Sequence, residues 1–290
     1  MIFNLGSINA DYFYDLPHLP RPGETLAATR MASGLGGKGA NQSVAAALAG
    51  GDVRHIGCVG PDGSWAVDRL RDFGVDVQHV RVSDTPTAHA IVMVDEAGEN
   101  QIVIYPGANQ EQDERSIAEA LEGAGSDDWL MLQNETSHQG DAARLAREKG
   151  LNVAYSAAPF DVQAIESVLP FVTLVITNEV EAQQYADETG RVIKDLPVSY
   201  VLITKGKDGA TWHDLDAGKV LEVSAFQVDP VDTTGAGDTF AGYAVAGLAQ
   251  GLPADIALKQ ASAAAALSTT KKGTADAIPA LAAVKALLGS

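Results

Sequence analysis

Short apolar runs recur along the chain between longer segments rich in Ala, Glu, Gln and Arg, and this alternation predicts strands separated by helices. The strand-like runs are 1–5, 53–59, 129–132, 151–155, 174–176 and 200–203. Helical composition fills 39–48, 64–73, 239–250 and 254–267, the last two divided by a pause at Gly251 to Pro253. Runs this continuous in apolar character belong to strands buried on both faces. The expected fold is therefore three-layer α/β/α, a mainly parallel central sheet between two helix layers.

Two stretches break the rhythm. Residues 12–29 contain Pro17, Pro20, Pro22 and Gly23 and carry few helix signals, while 88–94 and 101–105 read as strands joined by Asp95-Glu-Ala-Gly-Glu-Asn100. A hairpin and an extended segment with no covering helix predict a small separate β-sheet. Over an α/β domain it would act as a lid, formed by segments inserted at about 12–30 and 86–106 of a single 1–290 domain. Its uncovered apolar face would invite a second copy of the chain, giving a homodimer through the lids. Further on, 206–209 and 215–219 read as turns in an antiparallel section spanning 201–223.

Composition narrows the class. With 290 residues, 46% of them hydrophobic, the chain can bury one large core. Cys58 is the single cysteine, which excludes a disulfide framework, and its apolar surroundings mark it as an inert thiol. Neither a signal-like opening nor an apolar span long enough for a bilayer is found, so no membrane partner and a cytoplasmic location are expected. A count of 20 Lys plus Arg against 38 Asp plus Glu gives a formal charge of -18, which argues against nucleic acid held on a basic face. An anionic nucleotide must instead be held by local features: helix N-termini, a few cationic side chains and Mg2+.

The segment Asp232-Thr-Thr-Gly-Ala-Gly-Asp238-Thr-Phe supplies such a feature, a glycine turn that starts a helix. Amides at a helix start can hold phosphate oxygens, and Asp238 is placed to take a proton from a hydroxyl as it attacks a γ-phosphorus. The plain alternative is an ordinary glycine turn with Asp238 as its N-cap.

Near the N-terminus, Gly34-Leu-Gly-Gly-Lys38-Gly-Ala-Asn41-Gln42 reads as a glycine loop feeding a helix. It is not a Walker A loop, because Gly39 stands where Ser or Thr must follow the lysine. Backbone N–H groups, the Lys38 ammonium and the Asn41 amide converge there, a combination suited to sugar hydroxyls. Asn9 and Asp11 follow the first strand, where open parallel sheets bind ligands, although an Asx turn would use the same residues. Glu135 lies on the same rim. Glu181 could hold Mg2+ through water with Asn178 orienting that water or a phosphate, while the other acid, Glu179, would be a plain helix-start residue. The 6 histidines show no ligand spacing, and His89 in a lid strand reads as a packing or sugar-edge residue.

Taken together, these motifs resemble the ribokinase family of sugar and nucleoside kinases along nearly the whole chain. The matching blocks are Gly6-Ser-Ile-Asn-Ala-Asp11, Arg21-Pro-Gly-Glu24, Gly36-Gly-Lys-Gly-Ala-Asn-Gln42, Tyr105-Pro-Gly-Ala-Asn109, Ile176-Thr-Asn-Glu-Val-Glu181, the Asp232 to Asp238 block, and Lys272-Gly273. The resemblance implies ATP-dependent phosphorylation of a sugar, with the 5-hydroxyl of ribose as acceptor, Asp238 as base and the backbone of Gly235, Ala236 and Gly237 as anion hole. It implies sugar contacts at Asn9, Asp11, Gly37, Lys38, Asn41 and Glu135, and an Mg2+ and phosphate pair at Asn178 and Glu181. It further implies a nucleotide loop at Thr204, Gly206 and Gly209, and an activating K+ near Asp232 and Thr234, completed by carbonyls around Thr269 to Thr274. Two positions depart from the family pattern: Ser262 replaces an Asn beside the adenine, and Ala154-Tyr-Ser-Ala-Ala-Pro159 replaces an Asn-Pro-Ala-Pro-like turn. Alternatives left open are another pentose, a hexose or a nucleoside as acceptor, and a sugar-binding regulator without turnover.

Overall fold

The structure, a computed structural model, describes residues 1–289. In chain order its elements are β1 (Ile2–Leu5), β2 (Asn9–Leu16), β3 (Arg30–Gly36), α1 (Lys38–Leu48), β4 (Val53–Val59), α2 (Ser64–Asp72), β5 (Asp76–Val82), β6 (Ala88–Asp95) and β7 (Asn100–Tyr105). There follow α3 (Glu114–Ala120), β8 (Trp129–Gln133), α4 (Gln139–Glu148), β9 (Asn152–Ser156), α5 (Val162–Val168), β10 (Leu174–Asn178), α6 (Glu179–Thr189) and β11 (Tyr200–Thr204). The remaining elements are β12 (Ala210–Asp214), β13 (Lys219–Val223), α7 (Ala236–Ala249), α8 (Ala254–Ser268) and α9 (Leu281–Leu288).

Nine strands form the central sheet in the order β13-β12-β11-β10-β9-β8-β1-β4-β5. Every pairing from β11 across to β5 is parallel, and β12 and β13 continue it antiparallel. The unbroken apolar runs are explained by burial on both faces. Leu174 and Ile176 of β10 join the cluster that contains Val44, Tyr243 and Leu258 of α1, α7 and α8. Val175 between them joins the opposite cluster with Ile117, Ala142, Ile165 and Tyr185 of α3 to α6. Each such side chain stabilises the fold by about 1.5–3 kcal/mol through water removed from its surface.

On the first of these faces, α1 and α7 pack unusually close. A Cβ at Gly242 would lie 2.5 Å from the Gln42 carbonyl oxygen and 2.6 Å from the Ala45 Cβ, so only glycine permits this approach.

The second sheet has four strands in the order β3-β2-β6-β7 and stands apart from the first. In its edge strand β7, Ile102, Val103 and Ile104 are 52%, 57% and 53% exposed. Because successive strand residues face opposite sides, neither face of β7 is covered within one chain. One expectation is corrected here: Gly34 to Gly36, read as the start of a glycine loop, belong to strand β3, paired antiparallel with β2. Asn9 and Asp11 belong to β2, so the alternative of an Asx turn does not hold. Strand β5 and helix α9 are further elements that the apolar pattern did not indicate.

Candidate active site

Strand order reverses around β1, which has β4 on one side and β8 on the other. A crevice at the carboxyl ends of strands beside such a reversal is the usual ligand site of an open α/β sheet. The candidate residues gather there, carried by β2, α1, the turn after β8 and the start of α7.

Gly235 is the N-cap of α7 with φ 74°, a left-handed conformation that disfavours any residue with a Cβ. Among the described residues, the amides of Gly235, Gly237 and Asp238 have no acceptor, whereas the Ala236 amide donates to the Thr233 carbonyl at 3.3 Å. The expected anion hole therefore has a free amide at each glycine and an engaged one at Ala236. Asp238 lies in the first turn and is not the cap. Its carboxylate is 9% exposed, with Oδ2 accepting from Asn41 Nδ2 and Oδ1 from Gln42 Nε2, both at 3.1 Å.

On the lid side of Asp238 the predicted sugar residues come together. The Lys38 backbone N–H donates to Glu135 Oε2 at 3.0 Å, and the Ser7 hydroxyl donates to the same oxygen. The Lys38 ammonium is held above the ordinary lysine range by Asp238, opposed by burial and helped by Glu135 and Glu181. Burial pushes Asp11 up to about 7, and the charges of Glu135 and Asp238 add to that. Glu135 is also raised by burial, against the pull of Lys38. Gly37, with φ 91°, is the N-cap of α1. Asn9 Oδ1 accepts from Asn109 Nδ2 at 2.9 Å, and Asn109 Oδ1 in turn accepts from the Ile8 amide.

Two acceptors in this group, Asp11 Oδ1 and Asn41 Oδ1, are buried without partners. Each such orphan costs about 1–3 kcal/mol, which a ligand rich in hydroxyls would remove. A cavity of about 520 Å³ lies between the lid and the loops flanking α7, lined by Phe13, Val92 and Ile102 on one side and by Asp232, Thr234 and Lys272 on the other; Asn9, Asp11, Lys38, Asn41, Glu135 and Asp238 are not part of its lining.

A second cavity, of about 400 Å³, lies beyond the start of α7 and is lined by Asn178, Thr204, Gly206, Gly209, Gly237 and Ser262. Phe226, Val228 and Pro230 make one wall apolar, suited to a flat heterocycle. The Ser262 hydroxyl is engaged with the Ser224 carbonyl at 2.9 Å. Asn178 and Glu181 form a capping box at the start of α6: Asn178 Oδ1 accepts the Glu181 amide at 2.8 Å, and Glu181 Oε2 accepts the Asn178 amide at 3.0 Å. Glu181 does not line this cavity, and the pair starts the helix.

The loop before α7 is tied to the end of α8. Asp232 Oδ1 accepts from the Thr234 amide and Oδ2 from the Gly273 amide, at 3.0 and 3.1 Å, while the Val231 and Asp232 amides donate to the Thr269 carbonyl. Among the histidines, His89 packs between Tyr12 and Tyr105 in the lid. His138 groups with Glu114 and Asp141 at the surface, outside both cavities, a clustering that sequence spacing did not suggest. Ser7, Gln42, Asn109 and Gln133 were not singled out as site residues. Ser7, Gln42 and Asn109 stood inside motifs, and the only sign of Gln133 was a polar residue ending an apolar strand.

A family model described as pfkB family carbohydrate kinase matches residues 1–281. Ribokinase of Haemophilus influenzae is 36% identical over 290 residues, covering 95% of this chain and 94% of that protein. Deoxyribokinase of Salmonella typhi is 30% identical over 292 residues, covering 96% and 95%. The structure of Arabidopsis thaliana ribokinase complexed with ribose and ATP matches with a TM-score of 0.86 at 28% identity, over 100% of this chain and 98% of that one.

Proposed function

The chain belongs to the pfkB family of carbohydrate kinases, and from that premise we propose that it transfers the γ-phosphate of ATP to the 5-hydroxyl of ribose. One observation carries this reading: a buried carboxylate, free helix-start amides and two orphaned buried acceptors meet at the start of α7. Ribose on the lid side would donate its ring hydroxyls to Asp11 Oδ1 and Asn41 Oδ1, with Lys38 and Glu135 beside them, leaving the 5-hydroxyl towards Asp238. The nucleotide would take the cavity lined by Asn178, Thr204 and Gly237, with its γ-phosphate over the Gly235 and Gly237 amides. As the sugar oxygen bonds to phosphorus and the bond to the bridging oxygen of ADP breaks, the hydroxyl proton passes to Asp238. The free amides meet the charge growing on the phosphoryl oxygens.

For the implied Mg2+, the donor set is suitable: the second carboxylate oxygen of Glu181 has no hydrogen-bond partner among the described residues, and Asn178 stands beside it. There it would neutralise phosphate charge. Asp232, Thr234 and the carbonyls between Thr269 and Thr274 offer hard oxygens to a K+, which would brace the turn into α7. The bare faces of β7 support pairing of two copies through their lids. A cytoplasmic setting suits both ATP and the unpaired Cys58.

A less polar acceptor such as deoxyribose is the second reading, supported by the 30% identity to the deoxyribokinase of Salmonella typhi. A sugar-binding regulator would have no use for free amides beside the base. Initial rates on ribose, deoxyribose, fructose and several nucleosides with ATP and Mg2+ test these readings. Ribose is expected to lead in kcat/KM by more than about tenfold, roughly 1.4 kcal/mol, and K+ to give higher rates than Na+ at matched ionic strength. A smaller lead would overturn ribose as the named acceptor, and no phosphorylated product from any of them would overturn the kinase itself. Equal rates in the two salts would remove the K+ site.

A further inference from the structure

A single file of buried polar side chains runs from Asp238 through the core to His55. Gln42 Nε2 donates to Asp238 Oδ1. Gln133 Nε2 donates to both Gln42 Oε1 and Asn4 Oδ1, each at 2.9 Å. Asn4 Nδ2 donates to Ser43 Oγ at 2.8 Å and to the Gly39 carbonyl at 2.9 Å. Ser43 Oγ and His55 Nδ1 are 2.8 Å apart, and His55 Nε2 faces the Gly6 carbonyl at 3.1 Å. Asn4, Gln42, Ser43, His55 and Gln133 are all 0% exposed.

The direction of every bond follows from the far end. A carbonyl only accepts, so His55 Nε2 carries the proton and Nδ1 accepts from the Ser43 hydroxyl. Burial keeps the ring neutral, its pKa pushed down to about 4. The Ser43 oxygen then accepts from Asn4, which turns the Asn4 carbonyl towards Gln133. Gln133 must meet two oxygens with its NH2 group, and Gln42 is left with one orientation, oxygen to Gln133 and NH2 to Asp238. A flipped Gln42 would set oxygen against oxygen at Asp238 and NH2 against NH2 at Gln133. The file has a cost, since Gln133 Oε1 is buried without a partner, worth about 1–3 kcal/mol. An apolar core of the same shape would avoid it.

Resting on the assignment of Asp238 as base, we infer that Gln42, locked in one amide orientation by Gln133, is a positioning residue for the transfer. Donating to Oδ1 while Asn41 donates to Oδ2, it fixes the carboxylate plane towards the sugar's hydroxyl. Other charged groups act on the same carboxylate: Lys38 from α1, Asp11 from β2 and Glu135 beyond β8.

Gln133→Glu tests this with those three charges left in place, because Gln133 contacts neither Asp238 nor either cavity. A carboxyl group there, ionised or neutral, cannot donate to both neighbours, so Gln42 is released to present its oxygen to Asp238. The expected result is a kcat lower by about ten- to a hundredfold with sugar and ATP KM values within about threefold, and an acid limb of the pH–rate profile moved up by about one pH unit. Gln42→Met, which keeps chain length and removes the donor, is expected to move kcat and the limb in the same direction, and it decides the matter if Gln133→Glu does not fold. A folded variant with the wild-type kcat and limb overturns the inference. A carboxyl 13C titration of Asp238 without substrates reads the same displacement independently of turnover. An inactive wild-type protein would thus sink only the kinase reading, and an unmoved titration only the positioning role.

Discussion

Asp11 is the residue under greatest electrostatic tension, a carboxyl group held near neutrality of charge by burial and by two acidic neighbours, with its folded pKa at about 7 against 3.8 in the open chain. Because the folded value is the higher one, native protein binds this proton more tightly. The stability it contributes is fully present below about pH 4 and is lost as pH rises through about 7, at roughly 1.36 kcal/mol for each pH unit crossed in between. Asp11→Asn is expected to flatten the fall in thermal midpoint across that window in the ligand-free protein; an unchanged slope would dismiss the effect. Sugar hydroxyls donate best to the ionised carboxylate. Sugar affinity is therefore expected to rise from about pH 6 to about pH 8 with release of a proton, measurable by calorimetry in buffers of different ionisation heat. Asp238→Asn removes the proton acceptor while keeping the shape, and turnover is expected to drop by about 10² to 10⁴ with both substrates still bound. Near-normal turnover would take the base role away from it.

Among the elements, the contact of α1 with α7 matters most, since it delivers Asn41 and Gln42 to Asp238. Gly242→Ala forces these helices apart and is expected to cost about 1–3 kcal/mol in denaturant unfolding while lowering kcat more than it raises either KM. A destabilised variant with full kcat would show that the carboxylate does not depend on this packing. The elements differ in how far they could be read from sequence. Strands β8, β10 and β11 were legible because burial on both faces leaves an unbroken apolar run, and the start of α7 was legible from its glycine turn. Arg30-Met-Ala-Ser-Gly-Leu-Gly36 was not, since small residues show no alternation and its strand state comes from pairing with β2. The Asn178 and Glu181 spacing was visible, yet the same spacing serves a capping box and a cation site, and only the placed amides reveal the box. Gln133 was illegible for a simpler reason: its partner Gln42 lies 91 residues away.

Across the whole molecule, a net charge of -18 and the open edge of β7 pull in opposite directions. Charge repulsion resists association, while an uncovered apolar strand favours it. Val103→Asp adds charge at the middle of that strand without touching the site. It is expected to sediment as a monomer where the wild type sediments as a dimer, and an identical profile for both would reject pairing through the lids. None of the sugar residues Asn9, Asp11, Lys38, Asn41 and Glu135 lines the nucleotide cavity beyond the α7 start, and this separation has a consequence for the order of events. Each reactant has its own doorway, so neither product has to wait behind the other, and departures in either sequence are open to the enzyme. Inhibition by ADP competitive against ATP alone, mirrored by sugar phosphate against sugar, would reveal that traffic; a strict queue in which one product must leave first would mean that the doorways do not operate separately.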